Sequence, residues 1–398
     1  MSVYKQFLDK PERSSNFQIA SRLFTSVVPS LGYSLTSYWT NGPAHPSWSY
    51  TYHVTMNTLR GVLIGMQQGE LPNVHEIQNS TSNATNVPKD TVVKEEPFVV
   101  NPEVIEFIKE NGPGEWPDHA ADSQHSVYGE WVIPPDVDSG YVFYLLHGGA
   151  YILGSAPQER RNAYTYSKAS KTPIFSISYR LAPQNPYPCG LIDAVSGYLH
   201  LLKSYDPSKI IIGGDSAGGG LTIATLMVIR DMQKPLPAGG LGMSPWLELT
   251  QSRPSYTENA KYDYLPDLAK DPRLGDRIHY YAPNDQLKHP YVSPYWADNL
   301  DNLPPLLIQV GGVERLYDEI IEFSLRTART LTTPVTLEVY DAHTHVFQMF
   351  QFQKGSQMAV KRLGDWVQAI TGRTTLESKE SARYDYSFHG VMTDHAKY

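Results

Sequence analysis

Gly214-Asp215-Ser216-Ala217-Gly218 places a hydroxyl among glycines, directly after the apolar run Lys209–Ile212 and at the start of a small-residue stretch, Ala217–Met232. A strand that turns abruptly into a helix holds the middle residue of a G-x-S-x-G run in strained backbone. The flanking glycines remove side chains that would strike the strand and the helix. Ser216 then stands at the C-terminal end of a strand and at a helix N-terminus, where its oxygen can attack a carbonyl carbon. A bare G-x-S-x-G also suits a phosphate-binding turn, and it is the strand before and the helix after that favour a nucleophile. About seventy residues earlier, Leu145-Leu146-His147-Gly148-Gly149-Ala150-Tyr151 follows another apolar run. The backbone N–H groups of Gly148 and Gly149, with that of Ala217, can donate to the oxyanion such an attack creates. His147 reads as a residue that shapes this loop rather than one that carries protons.

A serine hydroxyl is a weak nucleophile until a base takes its proton, and the base needs an acid to orient it. Past the serine, Leu306–Glu319 offers Glu314, Asp318 and Glu319 directly after a strand pattern. Asp341-Ala342-His343-Thr344-His345-Val346 then offers two histidines after the next strand pattern. Both segments end where loops at one edge of a sheet would bring them towards Ser216.

The elements that must position these groups are short apolar runs rich in Val, Ile, Phe and Tyr: Tyr141–Leu146, Pro173–Ile177, Lys209–Ile212, Pro305–Val310 and Val335–Tyr340. Turn residues and helical patterns separate them, which predicts a mainly parallel sheet covered by helices on both faces. The clearest helices are Ala217–Met232 and about Gln353–Ile370. Two stretches break the rhythm. Residues 1–95 carry helical hints (Asn16–Phe24, Tyr52–Met66) and a polar loop, Gln78–Asp90; residues 250–300 are rich in Tyr, Pro and Asp. The expected organisation is an N-terminal cap or lid over 1–125, a core over 126–249 and 300–372, a cap-associated insert over 250–299, and a polar tail over 373–398.

Together, HGGAY, GDSAGG and HVFQ resemble the hormone-sensitive-lipase-like family of α/β-hydrolase esterases, in particular its fungal members. The resemblance runs from about Val142 to Leu363. It includes Tyr179-Arg-Leu-Ala-Pro183, Ser244-Pro-Trp-Leu-Glu-Leu-Thr250, Pro290-Tyr-Val-Ser-Pro294 and Pro304–Gly311. It implies the α/β-hydrolase fold with a largely helical cap from the N-terminal segment and an insert. It further implies Ser216 as nucleophile, His345 as base, and Gly148, Gly149 and Ala217 as oxyanion donors. Glu314 stands at the family's acid position, where Asp is more usual, with Asp318 as the alternative. His343 falls outside the HVFQ match and reads as a solvated loop residue. Ser178, before Tyr179, and Gln184-Asn185 after the LAP segment depart from the family pattern at turns.

The resemblance implies hydrolysis of a small to medium apolar carboxylic ester, such as a specialised metabolite from which an acetyl group is removed, without metal or organic cofactor. Acyl transfer or cyclisation on the same fold is the alternative reading. A ligand-binding relative without catalysis is disfavoured, because Ser, His and acid are all present. Tyr151, Asp215, Trp246, Tyr264 and Tyr281 are candidates for contact with substrate.

Composition sets outer limits. A net charge of −8 argues against nucleic acid or an anionic membrane as the main partner. The one cysteine, Cys189, excludes an intramolecular disulfide and fits a cytoplasmic setting. The most apolar early stretch, Phe24–Trp39, is too short and too polar for an integral membrane segment.

Overall fold

The computed structural model describes residues 16–67, 78, 83–271, 274–374 and 391–395; for 16–26, 66–67, 268 and 391–395 it gives the backbone course alone. Strands form at all five apolar runs and at five further places. In chain order they are β1 (Val92–Glu95), β2 (Phe98–Val99), β3 (Ser126–Ile133), β4 (Val142–Leu146), β5 (Ile174–Ser178), β6 (Ile210–Asp215), β7 (Gly239–Met243), β8 (Leu306–Gly311), β9 (Val335–Tyr340) and β10 (Val391–His395). They lie in the order β1-β3-β5-β4-β6-β7-β8-β9-β10, with β2 on β3. From β5 to β10 every neighbour is parallel, whereas β3 runs antiparallel to β1, β2 and β5. The chain therefore has the α/β-hydrolase fold.

The main helices are α1 (Asn16–Asn41), α2 (Tyr50–Gln67), α3 (Pro102–Asn111), α4 (Ala156–Ser170), α5 (Cys189–Leu201), α6 (Ala217–Asp231), α7 (Tyr317–Ala328) and α8 (Lys354–Ile370). Alternation along β4 shows how they cover the sheet. Val142, Tyr144 and Leu146 point into a core shared with Val104 and Ile108 of α3, Leu191 of α5, Leu221 of α6 and Phe323 of α7. Phe143 and Leu145 point the other way, against Tyr166 of α4 and Leu363 and Trp366 of α8. A period of two with both phases buried is what a doubly covered parallel sheet demands.

Three sequence expectations change. Residues 92–111 were assigned to the cap, yet β1 and β2 pair with β3, and Val104, Ile105 and Ile108 of α3 lie in the main core. A four-residue edge strand, largely exposed, is too short to carry a periodic signal. β7 reads Gly-Gly-Leu-Gly-Met and escaped notice because three of its five residues lack the branched side chains that mark strands. Val391–His395, inside the stretch read as a polar tail, pairs in parallel with β9.

α1 and α2 form an antiparallel pair ahead of the sheet. Trp48, Tyr52 and Met56 pack with Tyr264, Val313, Phe347 and Phe350. Among its described residues the insert contains only short helical turns, including Ser255–Glu258 and Pro294–Trp296. Among the described residues, no helix is long and apolar enough to cross a membrane.

Candidate active site

β6 ends at Asp215 and α6 begins at Ala217, so Ser216 carries the whole change of direction. Its backbone sits at φ 52° and ψ −122°, a region that costs an L-residue roughly 1–3 kcal/mol. Three hydrogen bonds hold it there: its N–H donates to Met243 O (3.0 Å), and its carbonyl accepts from Trp246 N (2.8 Å) and Gly220 N (3.0 Å). Gly218 must be glycine, because a Cβ there would lie 2.1 Å from the carbonyl oxygen of Leu146.

His345 Nε2 lies 2.8 Å from Ser216 Oγ. On the far side of the ring, Nδ1 is 3.7 Å from Glu314 Oε2, and both side chains are buried. Glu314 opposite Nδ1 places the ring proton there and leaves Nε2 to accept from the serine hydroxyl. The Glu314–His345 separation exceeds a hydrogen bond, and contacts of this kind tighten when substrate fills the site. Burial opposes charge on His345, but Glu314, followed by Asp263 and Asp215, outweighs it and holds the imidazole above its ordinary pKa. Burial raises the Glu314 carboxyl, with His345 pulling it down.

The other candidate groups in these two loops do different work. Asp318 Oδ2 accepts from Ser255 N (2.7 Å), and the Asp318 N–H donates to Ser255 Oγ (3.0 Å), tying α7 to the insert. Glu319 Oε1 accepts from the backbone of Leu247 (2.7 Å) and Glu248 (2.9 Å), fastening the loop after β7. His343 is not solvated as expected. It packs against Phe347 (4.8 Å between ring centres) and is only 7% exposed, and burial lowers its pKa to about 4.

The HGGAY loop is held from behind. His147 stacks on Tyr179 at 4.2 Å between ring centres, and the Tyr179 hydroxyl donates to His147 O (2.8 Å). Tyr179 is in turn fixed by its neighbour Arg180, whose guanidinium meets the buried Asp193 at 2.7 Å. His147 Nδ1 donates to Gly148 O (2.7 Å), and burial lowers its pKa to about 4, so it stays neutral and shapes the loop. Of the departures at turns, Ser178 Oγ accepts from Ala156 N (3.0 Å) and Gln184 Nε2 donates to Gln78 Oε1 (2.8 Å).

One expected donor is already engaged. The Gly148 N–H donates to Asp215 Oδ1 at 3.1 Å, so its proton is spent inside the protein. Among the described residues the N–H groups of Gly149, Ala150 and Ala217 have no such partner; Ala217 is the first residue of α6, where no intrahelical acceptor exists. Asp215, read as a substrate contact, is buried and serves instead to hold the loop. Asp215→Ala should therefore lower kcat by roughly 10²-fold with little change in KM, while Asp215→Asn, which keeps an acceptor, retains most of the rate. Steady-state kinetics on a soluble ester would check this, and equal losses in both variants would disprove it.

Of the aromatic candidates, Tyr151 and Tyr281 stack face to face at 3.9 Å with Trp246 beside them, and each is at most 4% exposed. They form a closed cluster next to the elbow. Tyr264 is the candidate whose ring lies by His345, 6.1 Å between centres.

Two contributors carried no motif. Asp263 is fully buried in the insert; it accepts from Arg315 N (2.7 Å) and His345 N (3.3 Å), so one carboxylate ties together the loops that carry Glu314 and His345. His279, also buried, sits 4.7 Å from Trp246 with Nδ1 accepting from Tyr281 N, and its Nε2 has no partner among the described residues. Nothing in their sequence neighbourhood signals either one. Among the described residues no group of three His, Cys, Asp or Glu could hold a metal ion.

A family model for the α/β-hydrolase fold matches residues 142–349. An acetyl-hydrolase of Streptomyces hygroscopicus is 36% identical over 245 residues, 61% of this chain and 80% of that protein. An esterase of Acinetobacter venetianus is 34% identical over 52% of this chain and 68% of its own length. Among solved structures, an esterase from the bacterial hormone-sensitive lipase family superposes with a TM-score of 0.60 at 29% identity, covering 86% of this chain and 99% of that one. An esterase/lipase from an uncultured bacterium does so at 0.62 and 28%, covering 79% and 98%.

Proposed function

This chain belongs to the hormone-sensitive-lipase-like α/β-hydrolase family, and from that premise we propose that it hydrolyses carboxylic esters through Ser216, His345 and Glu314. The 2.8 Å contact between Ser216 Oγ and His345 Nε2, made at a strained elbow, is the observation that carries this reading. Ser216 attacks the ester carbonyl while His345 takes the hydroxyl proton, and Glu314 stabilises the imidazolium that forms. The tetrahedral oxyanion is held by N–H groups of Gly149 and Ala217, with Ala150 in the place first assigned to Gly148. His345 returns the proton to the departing alcohol. Water, activated by the same imidazole, then releases the acid and restores Ser216.

The substrate we propose is an apolar ester with a small acyl group, an acetyl ester foremost, of the specialised-metabolite kind that the fungal resemblance suggests. The acetyl-hydrolase name of the Streptomyces relative supports the acyl size. A cytoplasmic setting, which a single cysteine fits, belongs to the same proposal. Cys189 itself is buried, and burial pushes its thiol up to about 12, so it is no competing nucleophile.

Reaction with a fluorophosphonate probe tests the reading directly. A single adduct on Ser216, formed more slowly while excess p-nitrophenyl ester competes for the site, is the expected result. Labelling elsewhere, or none alongside an intact fold, would overturn it. A panel graded in acyl length and alcohol bulk, run with and without alcohol acceptors, should show the fastest release for acetate and water as the preferred acceptor.

A further inference from the structure

The α1–α2 pair is built inside out. Its seam is largely polar, with small residues along most of its length: Ser34 and Ser37 are buried at 0% and 4% exposure, Ser37 Oγ lies 3.0 Å from His53 Nε2, and Thr58 Oγ1 donates to Ser34 Oγ at 3.4 Å, while the Tyr38 ring closes one end against Tyr50 and His53. A Cβ on Gly61 of α2 would fall 2.0 Å from Ser30 Oγ, so the two backbones approach as closely as glycine permits. The outer face of α1 is apolar. Val28, Leu31, Leu35 and Trp39 are 45%, 38%, 40% and 75% exposed, and their spacing places them in one row along the helix. Tyr33, also exposed, stands off that row, and Thr36 and Thr40 flank it.

A helix pair surrounded by water does the reverse, burying its large apolar residues and exposing the small polar ones. Small and hydroxylated residues in the seam, with bulky apolar residues outside, characterise helices whose surroundings are hydrocarbon. Charge points the same way. From Leu23 to Leu59 the chain contains no Asp, Glu, Lys or Arg. Arg60, which ends that stretch, is turned inwards, its Nε donating to Asp263 O at 2.8 Å. Among the described side chains of α1 the face therefore has nothing with which to seek anionic headgroups, and nothing charged to desolvate on entering a neutral interface. Since no described helix can span a bilayer, the mode left is to lie in the plane of the surface.

The geometry points to docking of α1 on a zwitterionic lipid surface, with Val28, Leu31, Leu35 and Trp39 entering the acyl boundary. The hairpin is bonded to the loop that carries His345: Trp48 Nε1 donates to Ala342 O (2.7 Å), and the Tyr52 hydroxyl meets Thr344 Oγ1 (2.9 Å). An ester dissolved in the surface would thus leave it beside the catalytic loop. The docking itself does not depend on the esterase reading.

Flotation of the full chain with small phosphatidylcholine vesicles provides the test. The wild type should float, to the same extent at low and high salt and whether or not part of the lipid is phosphatidylglycerol. The double variant Leu31→Gln/Leu35→Gln should lose at least about tenfold in partitioning while keeping its melting temperature and its rate on a water-soluble ester. Brominated phosphatidylcholine should quench wild-type tryptophan fluorescence more than that of Trp39→Phe. Equal flotation of the double variant, flotation only on anionic vesicles, or no flotation at all would each overturn the proposal. So would a wild-type dimer, seen by light scattering, that the double variant dissociates without any lipid binding; that result would make the row a self-association surface.

Discussion

Ser216→Ala is expected to lower kcat/KM on a p-nitrophenyl ester by roughly 10⁴- to 10⁶-fold, leaving only what oxyanion donors and binding contribute without a nucleophile. The fold should survive. Ser216 is held through its backbone, N–H to Met243 and carbonyl to Trp246 and Gly220, and alanine keeps all three bonds. What disappears is the Oγ–Nε2 contact with His345, a single hydrogen bond worth about 1 kcal/mol. The melting temperature should therefore stay within a few degrees of wild type. A variant that is stable and still turns over at near wild-type rate would remove Ser216 from the reaction.

Glu314→Gln should cost roughly 10³- to 10⁴-fold in kcat, the size of loss seen when a triad acid is neutralised with little change of shape. Its pH profile separates electrostatics from packing. His345 must be neutral to accept the serine proton, so wild-type kcat/KM should fall as the pH drops through a value above the ordinary imidazole pKa of 6.5, because the Glu314 carboxylate favours the charged ring. Removing that charge takes away the leading cause of the rise, and the acid limb should move to lower pH even as the plateau falls. Asp318→Asn is the control. Its partner is Ser255 rather than His345, so it should weaken the α7–insert attachment by about 1 kcal/mol and leave kcat within a few-fold. A larger loss for Asp318→Asn than for Glu314→Gln would reverse the assignment of the acid.

How much was legible in the chain depended on how local each signal was. Ser216 and the GDSAG turn were legible because strand, turn and helix follow one another without interruption. His345 and Glu314 were legible because each closes a strand at the same sheet edge. The engagement of the Gly148 N–H was not legible, because its acceptor, Asp215, lies 67 positions away; nor was the course of the loop after it, with consecutive positive φ angles at Gly149 (113°), Ala150 (55°) and Tyr151 (62°) that no residue-type rule predicts for Ala and Tyr. β7 was hidden by its glycines. Asp263 was one carboxylate among 41 acidic residues, and its contact with His345 spans 82 positions. The outward apolar row of α1 gave no signal for another reason. Its serines and apolar residues keep helical spacing, but reading such spacing assumes that the outside is water.

A chain of hydrogen bonds runs from the α1–α2 hairpin into the loops that carry His345 and Glu314: Arg60 Nε to the carbonyl of Asp263, and the Asp263 carboxylate to the backbone N–H groups of His345 and Arg315. For anyone wishing to retune this enzyme by grafting a cap from a relative, the hairpin and the insert are therefore not separable parts. A transplant that exchanges residues 1–67 alone would leave Asp263 without Arg60, and one that exchanges 250–299 alone would cut both catalytic loops adrift. Hairpin and insert have to be moved as one piece, together with the two loops they hold, or the graft will arrive with His345 out of place.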